Sequence, residues 1–215
     1  MRFSSSSTVV GVADGITARE AKRLQTRERL LGAAIAEFKR SGMADADVAA
    51  IVAAAGVAHG TFFFHFPTKE HVLLELERRE EDRIAKRFAT FAKTHDDLAS
   101  TLREAADLVM GLERRLGAVL FKDFLALHFS PTRPPAAASR ANGTEHGGDH
   151  PVIVLVAAQI ENARQRGEIA EDVQPMNSAI YFLLGLYALL ITTDKSTGRS
   201  ELVDDYLIRT LRSLR

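Results

Sequence analysis

Residues Asp47 to Lys69 read DVAAIVAAAGVAHGTFFFHFPTK, and this stretch decides the fold. Its first half places the larger side chains on one face of a short helix, namely Val48, Ile51, Val52 and Ala55. Gly56 stops that helix, a second short helix begins at Ala58, and Pro67 prevents it from continuing. Two short helices joined by a tight glycine turn are typical of a helix-turn-helix.

Helical periodicity continues on both sides of this stretch. The predicted helices span residues 17–41, 47–55, 58–64, 68–93, 96–113, 115–129, 151–166, 175–194 and 200–215. No run of Val, Ile and Thr alternates with period two, so the sequence predicts an all-α fold. Residues 130–150 contain three Pro and three Gly, which predicts a flexible connection.

Composition narrows the classes of function. Lys and Arg together number 28, and Asp and Glu also number 28, so the 215-residue chain has a formal net charge of zero. Nucleic-acid binding therefore requires a local basic patch, because no overall positive charge would attract DNA. The chain has no cysteine, which excludes disulfides, thiolate metal sites and cysteine nucleophiles.

The sequence gives no indication of membrane targeting. Residues 1–17 contain a serine run and too short an apolar patch for a secretory signal, so we expect a disordered leader. The longest apolar stretches, Ala179–Thr193 and Pro151–Ala158, fall short of the roughly 20 residues that a spanning helix needs. We therefore expect a cytoplasmic protein with no membrane partner.

The motif residues of the helix-turn-helix give a more specific indication. They are Gly42-Met43, Val48, Ile51, Ala55-Gly56-Val57, Gly60-Thr61-Phe62-Phe63, His65-Phe66 and Pro67-Thr68-Lys69-Glu70. This pattern closely resembles the N-terminal domain of the TetR/AcrR family of bacterial transcriptional regulators. The resemblance covers Arg27–Leu74, and the remainder is similar to the family in being a helical domain of suitable length.

The resemblance implies a DNA-binding domain at residues 18–68 and a helical ligand-binding and dimerisation domain at residues 69–215. It also implies a homodimer whose recognition helices enter adjacent major grooves of a partly palindromic double-stranded DNA operator. A small apolar effector bound in the second domain would release the DNA, and family members act more often as repressors than as activators. No cofactor is expected.

Charge pattern and resemblance together give the candidate DNA contacts. Residues 19–40 carry an excess of four positive charges, although a solvated helix face would also explain such a run. Lys69 matches the family's phosphate-contacting lysine, with an ordinary surface lysine as the alternative. His65 matches a position of the family that carries an aromatic residue or histidine beside the phosphates, and it could equally be a packing residue. Gly56 is expected to form the turn and Gly60 to let the recognition helix pack closely. The candidate contacts are Arg19, Lys22, Arg23, Arg27, Ala58, His59, Thr61, Phe63, His65 and Lys69.

The chain departs from the family pattern at positions that affect DNA reading. Phe63 replaces the usual tyrosine, and alanine occupies positions 46, 49 and 58, where the family carries polar or basic residues. No Lys or Arg lies between Ala46 and Phe66, so the commonest guanine contact is missing. Apolar contacts with thymine methyl groups and DNA shape would have to substitute. The alternative is a TetR-like dimeric ligand- or protein-binding module with weak or lost DNA binding.

Aromatic side chains concentrate in the predicted helices of the second domain. Phe121, Phe124 and His128 recur about once per turn, and Met110 and Tyr187 are further candidates for an apolar effector pocket. All could also be ordinary core residues. The helices at 151–166 and 175–194 are apolar nearly all round, which favours burial against a partner subunit or in the monomer's own core.

Catalytic and metal-binding motifs are scarce. The sequence has no glycine-rich phosphate loop and no His-Glu-x-x-His motif, so we expect neither an enzyme nor a catalytic residue. A weak metal site could be formed by the side chains of Glu145, His146, Asp149 and His150. Because these residues lie in the Pro- and Gly-rich connection, a disordered loop without metal is the favoured interpretation.

Overall fold

The computed structural model describes residues 17–130, 134, 150–193 and 198–215. Within these ranges there are nine helices and no strand, which confirms the predicted all-α fold. The helices are α1 Ala18–Asp45, α2 Val48–Ala55, α3 His59–His65, α4 Lys69–Phe91, α5 Leu98–Leu116, α6 Ala118–His128, α7 Pro151–Gln165, α8 Pro175–Thr192 and α9 Arg199–Ser213. The predicted leader and nearly all of the predicted connection lie outside the described residues.

Helices α2 and α3 form the predicted helix-turn-helix. Asp47 caps α2 by accepting a 2.8 Å hydrogen bond from the backbone N–H of Ala49. Gly56 ends α2 in the left-handed region, at φ 63°, so its predicted role in the turn is confirmed. Buried apolar residues then hold the pair against α1, chiefly Leu30, Leu31, Phe38, Ile51, Phe62 and Phe66.

Two predicted helix ends are wrong. The first helix extends to Asp45 and is kinked at Gly42, where φ is 81°. The helix predicted to end at residue 113 continues to Leu116, and the break falls at Gly117, where φ is 79°. The Arg pair at positions 114 and 115 therefore lies in the last turn of α5, where the helix dipole stabilises positive charge.

Contacts of α1 with α5 and α6 join the helix-turn-helix to the C-terminal helices. A carboxylate oxygen of Asp123 accepts a 2.6 Å hydrogen bond from the backbone N–H of Met43, directly after the Gly42 kink. The Nζ of Lys39 donates a 2.7 Å hydrogen bond to the carbonyl of Arg115. Helix α4 begins shortly after α3 and packs against α5 and α7. Helices α1 and α4 therefore connect the helix-turn-helix to the C-terminal helices.

A buried ion pair holds α9 to the rest of the C-terminal helices. Arg199 lies 3.0 Å from a carboxylate oxygen of Glu113 on α5, and both side chains are 8% exposed. The same guanidinium donates a 2.8 Å hydrogen bond to the carbonyl of Leu190 near the end of α8. Removal of one partner would leave the other charge buried without compensation, which is strongly destabilising.

Helix α8 is long and apolar enough, by length and composition alone, to cross a membrane. Helices α2 and α3 pass the same test only as a pair bent by 95°. The core helix of a soluble protein also meets these criteria, and one side of α8 is buried through Ala179, Phe182, Leu183, Leu186 and Leu190. The remaining apolar side of α8 is compatible with a second protein surface as well as with lipid.

Candidate DNA interface and effector region

Helix α3 directs its aromatic side chains in two directions. Phe62 and Phe66 are fully buried and lie with their ring centroids 6.0 Å apart, which anchors the helix in the core. On the other side, His59 is exposed beside Phe63, with ring centroids 5.7 Å apart. Phe63 is 47% exposed and Phe64 is 72% exposed. Exposed aromatic side chains on one short helix are a candidate surface for contact with another molecule.

Gly60 lies on the exposed side of α3. A Cβ atom at this position would meet no atom within 4 Å. The expectation that Gly60 serves close packing within the protein is therefore wrong. Its missing side chain instead leaves the backbone between His59 and Thr61 open to close approach by another molecule. Thr61 is half-buried, and Ala58 caps the helix without a side-chain hydrogen bond.

Arg27 is turned toward the protein. Its guanidinium group donates a hydrogen bond to the carbonyl of His65, lies 4.2 Å from the centroid of the Phe66 ring, and is 3.5 Å from Glu75. These contacts tie α1 to the end of α3 and to α4. Arg29 similarly donates to the carbonyls of Ala55 and Gly56, where the end of α2 leaves acceptors without helical partners.

Lys69 is the first residue of α4. Its Nζ donates hydrogen bonds of 2.6 Å and 3.3 Å to the carbonyls of Ala44 and Ala46, at the end of α1. The N-terminus of α4, where Thr68 makes no side-chain cap, is an environment that favours phosphate. A phosphate contact by Lys69 stays a prediction, and it would have to compete with these two carbonyls.

The first turns of α1 present an exposed basic arm of Arg19, Lys22 and Arg23. Thr17 and Glu20 form a capping box that fixes the start of this helix. The arm lies close enough to α3 to affect His65. Burial lowers the pKa of His65, and the charges of Arg27 and Arg23 lower that pKa further. The imidazole is therefore neutral at pH 7.

A family comparison agrees with this geometry. Residues 30–76, which include all of α2 and α3, match the family described as bacterial regulatory proteins, tetR family. The helix-turn-helix segment therefore belongs to the TetR family. That family consists of transcriptional regulators rather than enzymes.

Comparisons over most of the chain extend the similarity to the C-terminal helices. The A-factor receptor protein of Streptomyces griseus is 25% identical over 188 residues, which are 86% of this chain but 61% of that protein, so the chain spans less than two thirds of its relative's length. FadR from Bacillus subtilis, solved in complex with stearoyl-CoA, has a TM-score of 0.62 at 16% identity, covering 87% of this chain and 99% of that one. A γ-butyrolactone receptor described as ArpA-like has a TM-score of 0.52 at 21% identity, covering 90% and 99%. At these identities, the two structural similarities show the fold.

The predicted effector residues fall into two groups. Phe121 and Phe124 are 1% and 4% exposed and belong to the core around α6, while Met110 is half-buried against the same core. His128 and Tyr187 come together, with ring centroids 6.0 Å apart, and Phe129 packs against both rings. An effector contact by any of the five residues stays a prediction.

Tyr187 provides a polar group within this aromatic cluster. Burial raises the pKa of the Tyr187 hydroxyl, and the negative charges of Glu81 and Glu77 raise that pKa further. The hydroxyl therefore stays protonated at neutral pH and can donate a hydrogen bond. A few such donors in apolar surroundings are what orient a small molecule in a pocket.

Helices α7 and α8, which match the predicted dimerisation helices, expose large apolar side chains. On α8, Tyr181 is 69%, Leu184 45% and Ile191 39% exposed, and on α7 Val154 is 43% exposed. The three α8 residues recur at helical spacing along one face. Monomeric proteins seldom leave large contiguous apolar patches in water, so this face is suited to a subunit contact.

Sequence reasoning missed the exposure of Phe64 and the positions of Glu77 and Glu81 beside Tyr187. A signal for Phe64 was present, because successive helical residues point about 100° apart and three consecutive Phe side chains cannot all face one core. No comparable signal existed for the two glutamates, whose surroundings depend on how distant helices pack.

Proposed function

We propose that this TetR-family chain is a ligand-responsive, sequence-specific regulator that acts in the cytoplasm as a repressor. Residues 18–68 would bind the operator, and residues 69–215 would bind an effector and a second subunit. The observation that carries the proposal is the surface of α3, where His59, Phe63 and Phe64 are exposed around a glycine with open space above it.

The chemistry of this surface favours an apolar mode of base reading. Phe63, Phe64 and Ala58 can contact thymine methyl groups, while His59 and Thr61 can donate or accept hydrogen bonds at base edges. Positive charge for the phosphates would come from Arg19, Lys22 and Arg23 on α1, and from Lys69. Specificity would then combine a few base contacts with DNA shape.

A small apolar effector fits the chemistry of the C-terminal helices. The aromatic cluster of His128, Phe129 and Tyr187 joins apolar rings to polar atoms. The B. subtilis FadR structure contains stearoyl-CoA, and the ArpA-like protein is described as a γ-butyrolactone receptor. Release of DNA requires that the effector bind the non-binding conformation more tightly.

The operator would be partly palindromic, because a two-fold symmetric dimer presents two identical recognition helices. The exposed apolar face of α7 and α8 supports a dimer through these helices. Two-fold symmetry places the half-sites about one helical turn apart or a multiple of that spacing.

The first test is a fluorescence-anisotropy titration with the duplex that flanks the gene, beside a scrambled duplex, at about 150 mM salt. We expect a preference of at least about a thousandfold for the flanking duplex. Phe63→Ala and Phe64→Ala should each weaken specific binding by about tenfold to a hundredfold, the cost of a lost base contact. Leu202→Ala changes an apolar residue on α9 that is 50% exposed, and this matched control should have no effect.

A second titration tests the effector. Stearoyl-CoA and a γ-butyrolactone are added separately to the preformed protein–DNA complex. We expect one of the two compounds to release the DNA, which the anisotropy reports. If a compound binds the protein but leaves it bound to DNA, the proposal that this compound releases the repressor is contradicted.

A second candidate function has its own support. No Lys or Arg lies on α2 or α3, and Arg27, Arg29 and Lys69 all donate hydrogen bonds to backbone carbonyls. These observations favour a dimeric ligand- or protein-binding module that has lost tight DNA binding. Weak and equal binding to both duplexes, together with no enriched sequence in a genome-wide selection of bound fragments, would support this second function.

A further inference from the structure

Four titratable side chains from three parts of the chain meet near Tyr187, away from α3. Glu77 and Glu81 lie one turn apart on α4, His128 is the last residue of α6, and His150 directly precedes α7. The Nδ1 of His128 pairs with the Glu77 carboxylate and lies 4.0 Å from that of Glu81. The Nδ1 of His150 lies 3.1 Å from Glu81, and the two imidazole centroids are 4.9 Å apart.

The cluster is largely withdrawn from water. The side-chain exposures are 4% for Glu77, 12% for His128, 15% for Glu81 and 24% for His150. The carboxylates of Glu77 and Glu81 lie beside the two imidazole rings. A divalent cation would neutralise both carboxylates and use the histidines as neutral ligands.

The geometry is close to that of a bound ion. One potential ligand atom from each of Glu81, His128 and His150 lies within 4.8 Å of the others. Two ligands that each bind an ion at about 2.0–2.2 Å can be at most about 4.4 Å apart, so rotations that move these atoms by a few tenths of an ångström suffice. The Glu77–His128 pair is the carboxylate–histidine arrangement that orients a metal-bound imidazole.

We propose that Glu81, His128 and His150 bind a divalent first-row transition ion of the Zn²⁺ type, with Glu77 as the residue that positions His128. Imidazole ligands favour such ions over Mg²⁺ and Ca²⁺, which prefer oxygen ligands alone. Three protein ligands leave a coordination position open to water or to an effector oxygen. The proposal replaces the sequence-based expectation of no metal, in which His150 was grouped with Glu145, His146 and Asp149, three residues outside the described ranges.

Metal titration of the full-length, untagged and chelator-treated protein tests the site. The chain has no cysteine, so a Co²⁺ spectrum would report only nitrogen and oxygen ligands. We expect visible Co²⁺ bands that saturate at one ion per chain and disappear when Zn²⁺ displaces Co²⁺. His128→Gln, His150→Gln and Glu81→Gln should each weaken binding by at least about tenfold, the lower limit for loss of even an outer-shell partner.

Matched variants separate ligands from neighbours. His95→Gln changes an exposed histidine that stacks on Phe91, and it should leave Co²⁺ binding unchanged. Glu77→Ala should weaken binding by about tenfold to a hundredfold, and Glu77→Gln, which retains an oxygen acceptor, should restore much of it with an unchanged Co²⁺ spectrum. A merely structural role of Glu77 would not produce this spectral rescue.

Two results would overturn the proposal: no saturable binding of Co²⁺ or Zn²⁺ by the folded protein, or binding that survives both His150→Gln and Glu81→Gln. Circular dichroism establishes that each variant is folded, and these two less buried positions carry the test if His128→Gln does not fold. None of these measurements uses DNA, so failure of the metal site is distinguishable from failure of the proposed regulatory function.

Discussion

Arg27 and Arg23 belong to the same basic segment, but their guanidinium groups have different surroundings. Arg27 contacts the carbonyl of His65, the Phe66 ring and Glu75, whereas Arg23 is exposed. We expect Arg27→Ala to lower the free energy of unfolding by about 1–3 kcal/mol, because it leaves a partly buried carbonyl unsatisfied. Arg23→Ala should change that free energy by less than about 0.5 kcal/mol.

Salt dependence of DNA binding provides the complementary measurement for the same two variants. If Arg23 contacts a phosphate, Arg23→Ala flattens the slope of log affinity against log salt by about one unit. Arg27→Ala should leave the slope unchanged once unfolded protein is accounted for. A flattened slope in Arg27→Ala with unchanged stability would instead make Arg27 a phosphate contact.

His65 couples DNA binding to pH if it lies beside the phosphates. In the free protein, burial and the two arginines hold its pKa below the ordinary histidine value of about 6.5. Phosphates would raise the pKa in the complex, so the complex would bind more protons than the free protein. Affinity should therefore rise as pH falls through the interval between the two pKa values.

The pH dependence of affinity is measured by anisotropy in a His59→Gln background, which removes the other histidine on α3. His65→Gln should abolish the remaining rise in affinity at acid pH, and His95→Gln should not. An undiminished rise in His65→Gln would assign the proton uptake to another group. The sequence suggested His65 as a phosphate neighbour, but the direction of its pKa shift depends on its burial in the fold and on the positions of Arg27 and Arg23.

At the scale of elements, close approach between α8 and α9 depends on Gly185. A Cβ at this position would lie 2.4 Å from the hydroxyl oxygen of Tyr206, which donates a 2.7 Å hydrogen bond to the carbonyl of Phe182. Gly185→Ala should therefore lower the free energy of unfolding by about 1–3 kcal/mol, the usual effect of overpacking. Urea denaturation at fixed protein concentration measures the change.

Gly32→Ala is the matched control for this substitution. Gly32 lies within α1, and a Cβ there would meet no atom within 4 Å. The same change should raise the free energy of unfolding by about 0.5–1 kcal/mol, because alanine restricts the unfolded chain more than glycine does. Destabilisation of equal size at both positions would mean that the Tyr206 contact does not determine the effect.

Local signals explain how much of the fold could be predicted. The turn at Gly56, the cap at Asp47 and the stop before Pro67 depend on neighbours in sequence, and the helix-turn-helix was predicted from them. The break between α5 and α6 was predicted at residue 114 and falls at Gly117, whose positive φ of 79° supplies the turn. The approach of His150 to Glu81 joins residues 69 positions apart, so periodicity within one segment could not reveal it.

For the whole molecule, α4 connects the two proposed functions. It begins at Lys69, directly after the recognition helix, and carries Glu77 and Glu81 to the cluster with His128 and His150. The hydrogen bond that the backbone N–H of Met43 on α1 donates to the carboxylate of Asp123 on α6 gives a second connection. An effector or ion that changes how α4 and α6 pack would therefore alter the position of α3, provided that it binds the two arrangements with different affinities.

Dimerisation determines whether such a change affects operator binding, because affinity for a palindrome depends on two recognition helices acting together. Leu184 lies on the exposed apolar face of α8 and is 45% exposed, so a glutamate there would be buried in the proposed interface. We expect Leu184→Glu to be monomeric in analytical ultracentrifugation. Its affinity for a duplex with two half-sites should fall by about a hundredfold or more, which is the loss of bivalent binding, while its affinity for one half-site is unchanged.

Leu202→Glu, on an exposed position of α9, should remain dimeric with full operator affinity. A dimeric Leu184→Glu beside a monomeric Leu202→Glu would move the subunit contact from α8 to α9, and the spacing between recognition helices would then have to be derived from that contact.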